Sequence, residues 1–345
     1  MKAHPEREGF SRATRPLALI VVATLLFGQA TPAFAYLKFG VPVRGQQVTL
    51  KWSQTPVRYF VSDTGVSGVT SADLQSAVGR AFASWQGVPT ASITYQFAGV
   101  TSASPGKDDG ASVLGFQSRP DLDRVLASTS FLVDASTGAL IESDIFFNSA
   151  FPWSVSANGE PGKFDVESIA LHEIGHFSGL GHSALGETEL LSTGGRRVLS
   201  AEAVMFPIAF AAGTIASRTL KADDIAGISD LYPDGIFAAT DGSLSGRVTK
   251  DGQAIFGAHV VAFNVATGLM VGGFSLNAKG EFSIGGLSPG PHIVRVEPLD
   301  DADTTSFFDA AQNVDIDFRV AYLNRVIVVP KGGDSGAVTL TVVRK

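Results

Sequence analysis

The stretch His172-Glu173-Ile174-Gly175-His176-Phe177-Ser178-Gly179-Leu180-Gly181-His182 holds half of the six histidines of the chain. On a helix, residues four apart share a face, so His172 and His176 can offer two imidazoles to one ion with Glu173 beside it. Zinc suits this set, because it accepts imidazole nitrogen at about 2.0–2.1 Å and in catalytic sites takes three protein ligands plus a water. Gly179 can leave the helix in a left-handed conformation, turning the backbone so that His182 approaches the same ion from another side. Chance assembly of the whole string from this composition has a probability on the order of 10⁻⁵, which makes three unrelated histidines the weaker reading. A structural zinc site closes its fourth position, and no fourth ligand lies nearby: Ser183 is a poor donor and the chain has no Cys. Zn²⁺ lowers the pKa of its bound water toward ~7 and polarises a carbonyl, while a neighbouring carboxylate can take the proton. The expected chemistry is hydrolysis of a peptide bond by a Glu-assisted zinc-bound water, with Glu173 catalytic and His172, His176 and His182 as metal ligands.

Working outward, a helix is expected from Asp165, a suitable N-cap, to Gly179, with Val166, Ile169, Ala170, Ile174 and Phe177 on one side. Leu74, Ala77, Val78, Ala81, Phe82 and Trp85 recur at helical spacing between Thr70-Ser71 and Gly87, predicting an amphipathic helix laid on a sheet. Strands are expected at Val57–Val61, Ile93–Phe97, Ser112–Phe116, Ala127–Val133 and Leu140–Phe147, the last two joined as a hairpin through Asp134–Gly138. A third helix runs from about Ala222 to Tyr232, stopped by Pro233-Asp234-Gly235. Beyond it, short alternating runs at Leu244–Val248, His259–Phe263, Met270–Phe274, Glu281–Ile284, His292–Val296, Val326–Val329 and Val338–Val343 are spaced like the strands of a β-sandwich. The expected fold class is therefore an α+β domain followed by an all-β domain.

The chain has 345 residues, 45% hydrophobic and 17% charged, with 26 Lys+Arg against 33 Asp+Glu. Two domains fit that length, and pervasive disorder does not fit that composition. A formal charge of −7 offers no basic surface for nucleic acid. The absence of Cys excludes disulfides, thiolate metal sites and Cys nucleophiles. Lys2, Arg7, Arg12 and Arg15 precede an apolar run from Leu17 to Phe27 and a small-residue stretch ending in Ala33-Phe34-Ala35, the order of a secretory signal peptide. The run falls short of the ~20 apolar residues a membrane span needs. Residues 1–35 are thus read as a leader, and the mature chain as secreted, extracellular or periplasmic, with no membrane span. Loss of four basic and two acidic residues takes the charge from −7 to −9.

The string from His172 to His182 is the H-E-x-x-H-x-x-G-x-x-H signature of the metzincins, which carry a Met-containing turn beneath the zinc. Ala203-Val204-Met205-Phe206-Pro207 resembles the Met-turn of the matrixin branch, and Leu220–Tyr232 is similar to that branch's final helix. Lys51-Trp52 and Asp144–Asn148 also resemble matrixins, especially bacterial ones, so the likeness covers about Leu50–Pro233. It implies a twisted mixed sheet over helices, one catalytic Zn²⁺, and a protein or peptide substrate lying along an edge strand and cleaved internally. Met205 is implied to be a structural packing floor without a catalytic role, and Pro207 disfavours the branches that place a zinc-side Tyr there. Latency through a propeptide Cys has no counterpart in a chain without Cys. The resemblance also admits Ca²⁺, for which Asp108, Asp109, Asp121, Asp123 and Asp134 are hard-oxygen donors, although acidic loop residues equally serve as solvated turn formers. The interval between His182 and Met205 is long for the family, and Leu185–Glu202, with Gly194-Gly195-Arg196-Arg197, is expected to form a loop near the primed side of the cleft.

Gly242–Val248, Gly257–Val260 and Gly280–Gly290 resemble the carboxypeptidase-regulatory-like, transthyretin-type sandwich. His259 and His292 have no metal-spaced partner and read as strand residues. The organisation is then 1–35 leader, 36–235 matrixin-like protease domain and 242–345 sandwich, the last a spacer, a stability element or a module that binds a surface or matrix ligand. Phe307-Phe308 reads equally as core or as an exposed contact. The competing function is a secreted binding or surface-layer protein whose zinc site is vestigial and whose sandwich binds the ligand.

Overall fold

A computed structural model describes residues 37–43, 46–192 and 194–345; the leader expected over 1–35 lies outside the described residues. The chain opens with an antiparallel pair, β1 (Gly40–Val43) and β2 (Gln46–Thr49), which the strand pattern of the sequence did not announce. There follow β3 (Lys51–Trp52), β4 (Val57–Ser62), α1 (Ser71–Gln86), β5 (Tyr95–Thr101), β6 (Val113–Gln117), β7 (Ala127–Asp134) and β8 (Ala139–Asn148). These strands form one mixed sheet in the order β3-β8-β6-β4-β5, parallel throughout, with β7 antiparallel on the other side of β8. The turn between β7 and β8 closes at Gly138, whose φ of +77° suits a residue without a Cβ.

Helix α1 begins where its cap chemistry dictates: the Thr70 hydroxyl accepts from the Asp73 amide and the Asp73 carboxylate accepts from the Thr70 amide. Its stripe Leu74, Ala77, Val78, Ala81, Phe82 and Trp85 is wholly buried against the sheet and the next helix. A short parallel pair, β9 (Trp153–Ser154) and β10 (Phe164–Asp165), leads into α2 (Val166–Phe177), capped by Asp165, whose carboxylate accepts from the Ser168 amide. Arg218 clamps the same carboxylate from the far side of the chain. The β5 strand starts two residues later than its sequence pattern suggests, yet Ile93 is still buried in the core.

The segment expected as a loop is instead a hairpin of β11 (Gly186–Leu190) and β12 (Arg196–Ala201), with Gly194 and Gly195 at positive φ in its turn. Its charged strands hide the alternation that identifies a half-buried strand. Next come α3 (Ala222–Leu231) and a one-turn helix, α4 (Phe237–Thr240).

The remaining chain is all β apart from one 3₁₀ turn at Thr304–Ser306. Its strands are β13 (Gly242–Lys250), β14 (Gln253–Ala254), β15 (His259–Asn264), β16 (Met270–Phe274), β17 (Glu281–Leu287), β18 (Gly290–Glu297), β19 (Ala321–Tyr322), β20 (Ile327–Val329) and β21 (Asp334–Val342). One sheet runs β14-β13-β17 with β21 on β13, and the other runs β16-β15-β18 with β19 and β20 on β18. Leu244, Val260, Phe282, Ile284, Val294 and Leu340 fill the space between them. His259 and His292 are buried strand residues and belong to no ligating group among the described residues, His259 being held by Glu297.

The sandwich is seated firmly on the first domain. Ala226 of α3 belongs to the sandwich core, where a Cβ on Gly286 would come within 2.6 Å of its methyl. The buried Asp223 carboxylate accepts from the Gly272 amide at 2.8 Å. Phe307 and Phe308, left open by sequence, are buried together with Leu37, Ala184, Phe274 and Leu299, which come from both ends of the chain.

Candidate active site

Helix α2 carries His172, Glu173 and His176 into a cleft of about 1240 Å³. Just past the helix, Gly179 takes φ +104°, and a Cβ there would lie 2.4 Å from the Leu50 carbonyl oxygen. The end of α2 is fastened by residues of the matrixin-like segments: the Trp52 indole N–H donates to Phe177 O at 2.8 Å and the Tyr232 hydroxyl to Ser178 O at 2.7 Å. The Gly181 amide donates to Leu37 O at 2.7 Å, and the chain then brings His182 back over His176.

One candidate ligand atom from each of His172, His176 and His182 lies within 4.8 Å of the other two, and His176 Nε2 and His182 Nε2 are 3.2 Å apart. Each ring is aimed by its other nitrogen. The Nδ1–H of His172 donates to Val204 O at 2.7 Å, that of His176 to Leu180 O at 2.8 Å, and that of His182 to Ser306 O at 2.6 Å. Every Nε2 is thereby left as an acceptor facing the common centre. Burial lowers the pKa of all three imidazoles, reinforced at His176 by both neighbours and at His182 by His172; His182 falls to about 3 and His176 goes well below the ordinary range. Three neutral imidazole nitrogens converging on one point are the donor set that a zinc ion with an open position accepts. Among the described residues this is the one group of three or more ligating side chains with metal-site spacing.

Glu173 is buried, and its carboxylate accepts from the Thr129 hydroxyl at 2.6 Å. Burial pushes it up to about 7, against the pull of that hydrogen bond. Thr129 stands on β7, the strand at the cleft border that pairs only with β8 among the described residues. It was not singled out by the sequence, where one Thr in an alternating strand looks like any other.

Met205 is buried beneath α2, and a Cβ on Gly175 would come within 2.2 Å of its sulfur. Its turn is fixed by Asp224 of α3, whose buried carboxylate accepts from the Val204 and Met205 amides at 2.9 and 3.1 Å. Since Val204 O accepts the hydrogen bond from His172 Nδ1–H, Asp224 supports that ring from a distance. The adjacent Asp223-Asp224 pair was visible only as acidic residues at a helix start. Pro207 lines the cleft, as do Arg124 and the hairpin tip at Gly194 and Gly195.

The loop acids named as calcium donors are not drawn into one site. Asp121 pairs with Arg119, Asp134 accepts from Ser136, and Asp109 accepts from the Ala111 amide. Glu142 and Asp144 are instead buried, and their carboxylates accept amides of the Gly106–Val113 loop.

Comparison with known proteins agrees with this architecture. The carboxypeptidase regulatory-like domain profile matches residues 243–321. Metalloendoproteinase 1-MMP of Arabidopsis thaliana is 27% identical over 194 residues, covering 53% of this chain and 44% of that protein, so the chain spans less than half the length of that relative. Among solved structures, the minor pilin GBS52 of Streptococcus agalactiae aligns with 31% of this chain and 45% of its own at 11% identity and a TM-score of 0.21. The major pilin subunit BcpA of Bacillus cereus aligns with 31% of each chain at 13% identity and a TM-score of 0.20. Scores so low bear on neither fold nor function. The matrixin profile matches residues 51–233, more than half of the chain and the whole stretch that carries Glu173 and the three clustered histidines, and the chain belongs to the matrixin family.

Proposed function

We propose that this chain is a secreted zinc-dependent endopeptidase, with a protease domain over 36–235 and a sandwich over 242–345. His172, His176 and His182 hold one zinc, Glu173 is the general base and acid, and Met205 is structural. The observation that carries the reading is the convergence of three neutral imidazoles beside a buried carboxylate, in a cleft bordered by a strand whose outer edge is unpaired among the described residues. Zn²⁺, when bound, supplies Lewis-acid polarisation of the scissile carbonyl and of the attacking water.

The protein's own residues do the rest. A carboxyl group with a pKa near neutrality can take the water's proton and return it to the leaving amine. Thr129 holds one Glu173 oxygen, which fixes the carboxylate plane and leaves the other oxygen for that proton. The outer edge of β7, unpaired among the described residues, offers backbone groups to an extended peptide, so recognition rests on main-chain pairing and cleavage falls within a chain rather than at its end. Secretion is supported by the leader pattern of residues 1–35. Among the described residues, no helix is long and apolar enough to cross a membrane.

The test is metal analysis with peptide-library cleavage on the full chain, wild type beside Glu173→Ala. One zinc in both proteins, and cleavage by the wild type alone, is expected. Full activity in Glu173→Ala would refute the role of that carboxylate. Retained zinc with no turnover by the wild type would favour a binding protein with a vestigial site.

A further inference from the structure

The three candidate ligands differ in who aims them. His172 and His176 sit on α2, where the helix backbone already sets their direction, and their Nδ1 partners, Val204 and Leu180, belong to the same domain. His182 follows Gly181 on irregular backbone, so its direction depends more on what holds its ring. That partner is Ser306 O, 124 residues further along the chain and inside the sandwich. The Phe307 ring stands edge-on to the same imidazole, with centroids 6.4 Å apart.

The Ser306 carbonyl is itself well fixed. The Ser306 amide donates to Asp303 O at 2.8 Å, and the Phe307 and Phe308 amides donate to Thr304 O at 3.0 and 2.9 Å, which makes a closed turn. Phe307 and Phe308 anchor it in an apolar cluster shared by both domains. On its approach, Asp301 grips the β11 strand: its carboxylate accepts from the Thr188 amide and its carbonyl from the Thr188 hydroxyl, both at 2.7 Å. Asp303, Thr305 and Phe308 then line the cleft beside His182.

We infer that the C-terminal sandwich is a working part of the metal centre, its Thr304–Phe307 turn positioning His182 for the ion. This rests on the assignment of the three histidines as zinc ligands. Ser306 acts through His182 and is a positioning residue. The sandwich is then no detachable spacer, because a protease domain without it would keep two aimed imidazoles and lose the support of the third.

The test uses the full chain and reads metal rather than proteolysis. Zinc transfer to a chromogenic chelator and the visible spectrum of the Co²⁺-loaded protein are compared for wild type, Asp301→Ala, Phe307→Ala, their conservative counterparts Asp301→Asn and Phe307→Leu, and Leu340→Ala. The last removes a sandwich core side chain outside the cluster around the turn. Asp301→Ala and Phe307→Ala are expected to release zinc about tenfold faster or more and to alter the Co²⁺ spectrum, with partial rescue by the conservative variants. Leu340→Ala should lower the thermal midpoint and leave release unchanged. Release within about twofold of wild type in the folded alanine variants would overturn the inference, as would equal acceleration by Leu340→Ala. Should Phe307→Ala fail to fold, Asp301→Ala decides alone. A wild type that holds metal yet cleaves nothing would sink the endopeptidase reading and leave this one standing, whereas a wild type that binds neither metal ends both.

Discussion

The Thr129 hydroxyl reaches from the border strand of the cleft to the Glu173 carboxylate, 2.6 Å away and 44 residues later in the chain. It also lies 3.2 Å from the Glu173 carbonyl, so one side chain ties β7 to α2 at the residue proposed as the base. Thr129→Val keeps the shape and removes the donor. Losing the hydrogen bond that holds this buried carboxylate is worth about 1–3 kcal/mol, so kcat on a library-derived peptide should fall roughly 5- to 150-fold. KM and zinc content should hold, and Thr129→Ser should recover most of the loss. An unchanged kcat would remove Thr129 from the machinery.

Gly179 combines a φ of +104° with a carbonyl oxygen 2.4 Å from where a Cβ would sit. Gly179→Ala therefore meets both backbone strain and a clash with backbone that cannot swing aside. A loss of about 2–4 kcal/mol is expected in urea unfolding. Zinc content should fall as well, because the turn that returns His182 to the centre is displaced. Wild-type stability in this variant would mean that the turn relaxes freely.

The contact between Gly175 and Met205 predicts a coupled pair. Gly175→Ala pushes a methyl into the Met205 sulfur and should cost about 1–3 kcal/mol, while the volume-conserving Met205→Leu should cost less than about 1.5 kcal/mol. In a Met205→Ala background the cavity can receive the new methyl, so Gly175→Ala should become milder there. Strict additivity in a double-mutant cycle would show that the two side chains do not meet.

Asp223, buried between α3 and the sandwich, gives the docking a pH dependence. Burial pushes its carboxyl from an ordinary 3.8 up to about 7, assisted by Asp224 and opposed by the Gly272 amide and the Ser183 hydroxyl. Between about pH 4 and 7 the unfolded chain releases this proton and the folded chain keeps it, so stability declines as pH rises through that window and levels off above it. Urea midpoints across pH 4–8 should show Asp223's share as the difference in slope between wild type and Asp223→Asn, since Asp224, raised to about 6, and Glu173, raised to about 7, act in the same sense and the lowered histidines oppose them in both proteins. An identical slope in Asp223→Asn would place the titration elsewhere.

What the sequence determined by itself is what local spacing encodes. Histidines four apart on one helix face, a glycine able to turn the chain and a third histidine three residues on are short-range facts, and the three imidazoles do converge. The cap residues Thr70 and Asp73, the stripe ending at Trp85 and the alternation beyond Gly242 are equally local, and they yielded α1 and the sandwich strands to within a few residues. Tertiary structure decided everything that depends on segments meeting across the chain. The charged alternation of β11 and β12 hid a hairpin that shows only when its strands pair. Asp224 beneath the Met205 turn and Thr129 against Glu173 are ordinary residues until packing brings them to their partners. The clearest case is Ser306, whose carbonyl has no chemical signature in sequence. Only the seating of a β-sandwich on α3 and β11, through Ala226, Asp223 and Thr188, carries it to His182.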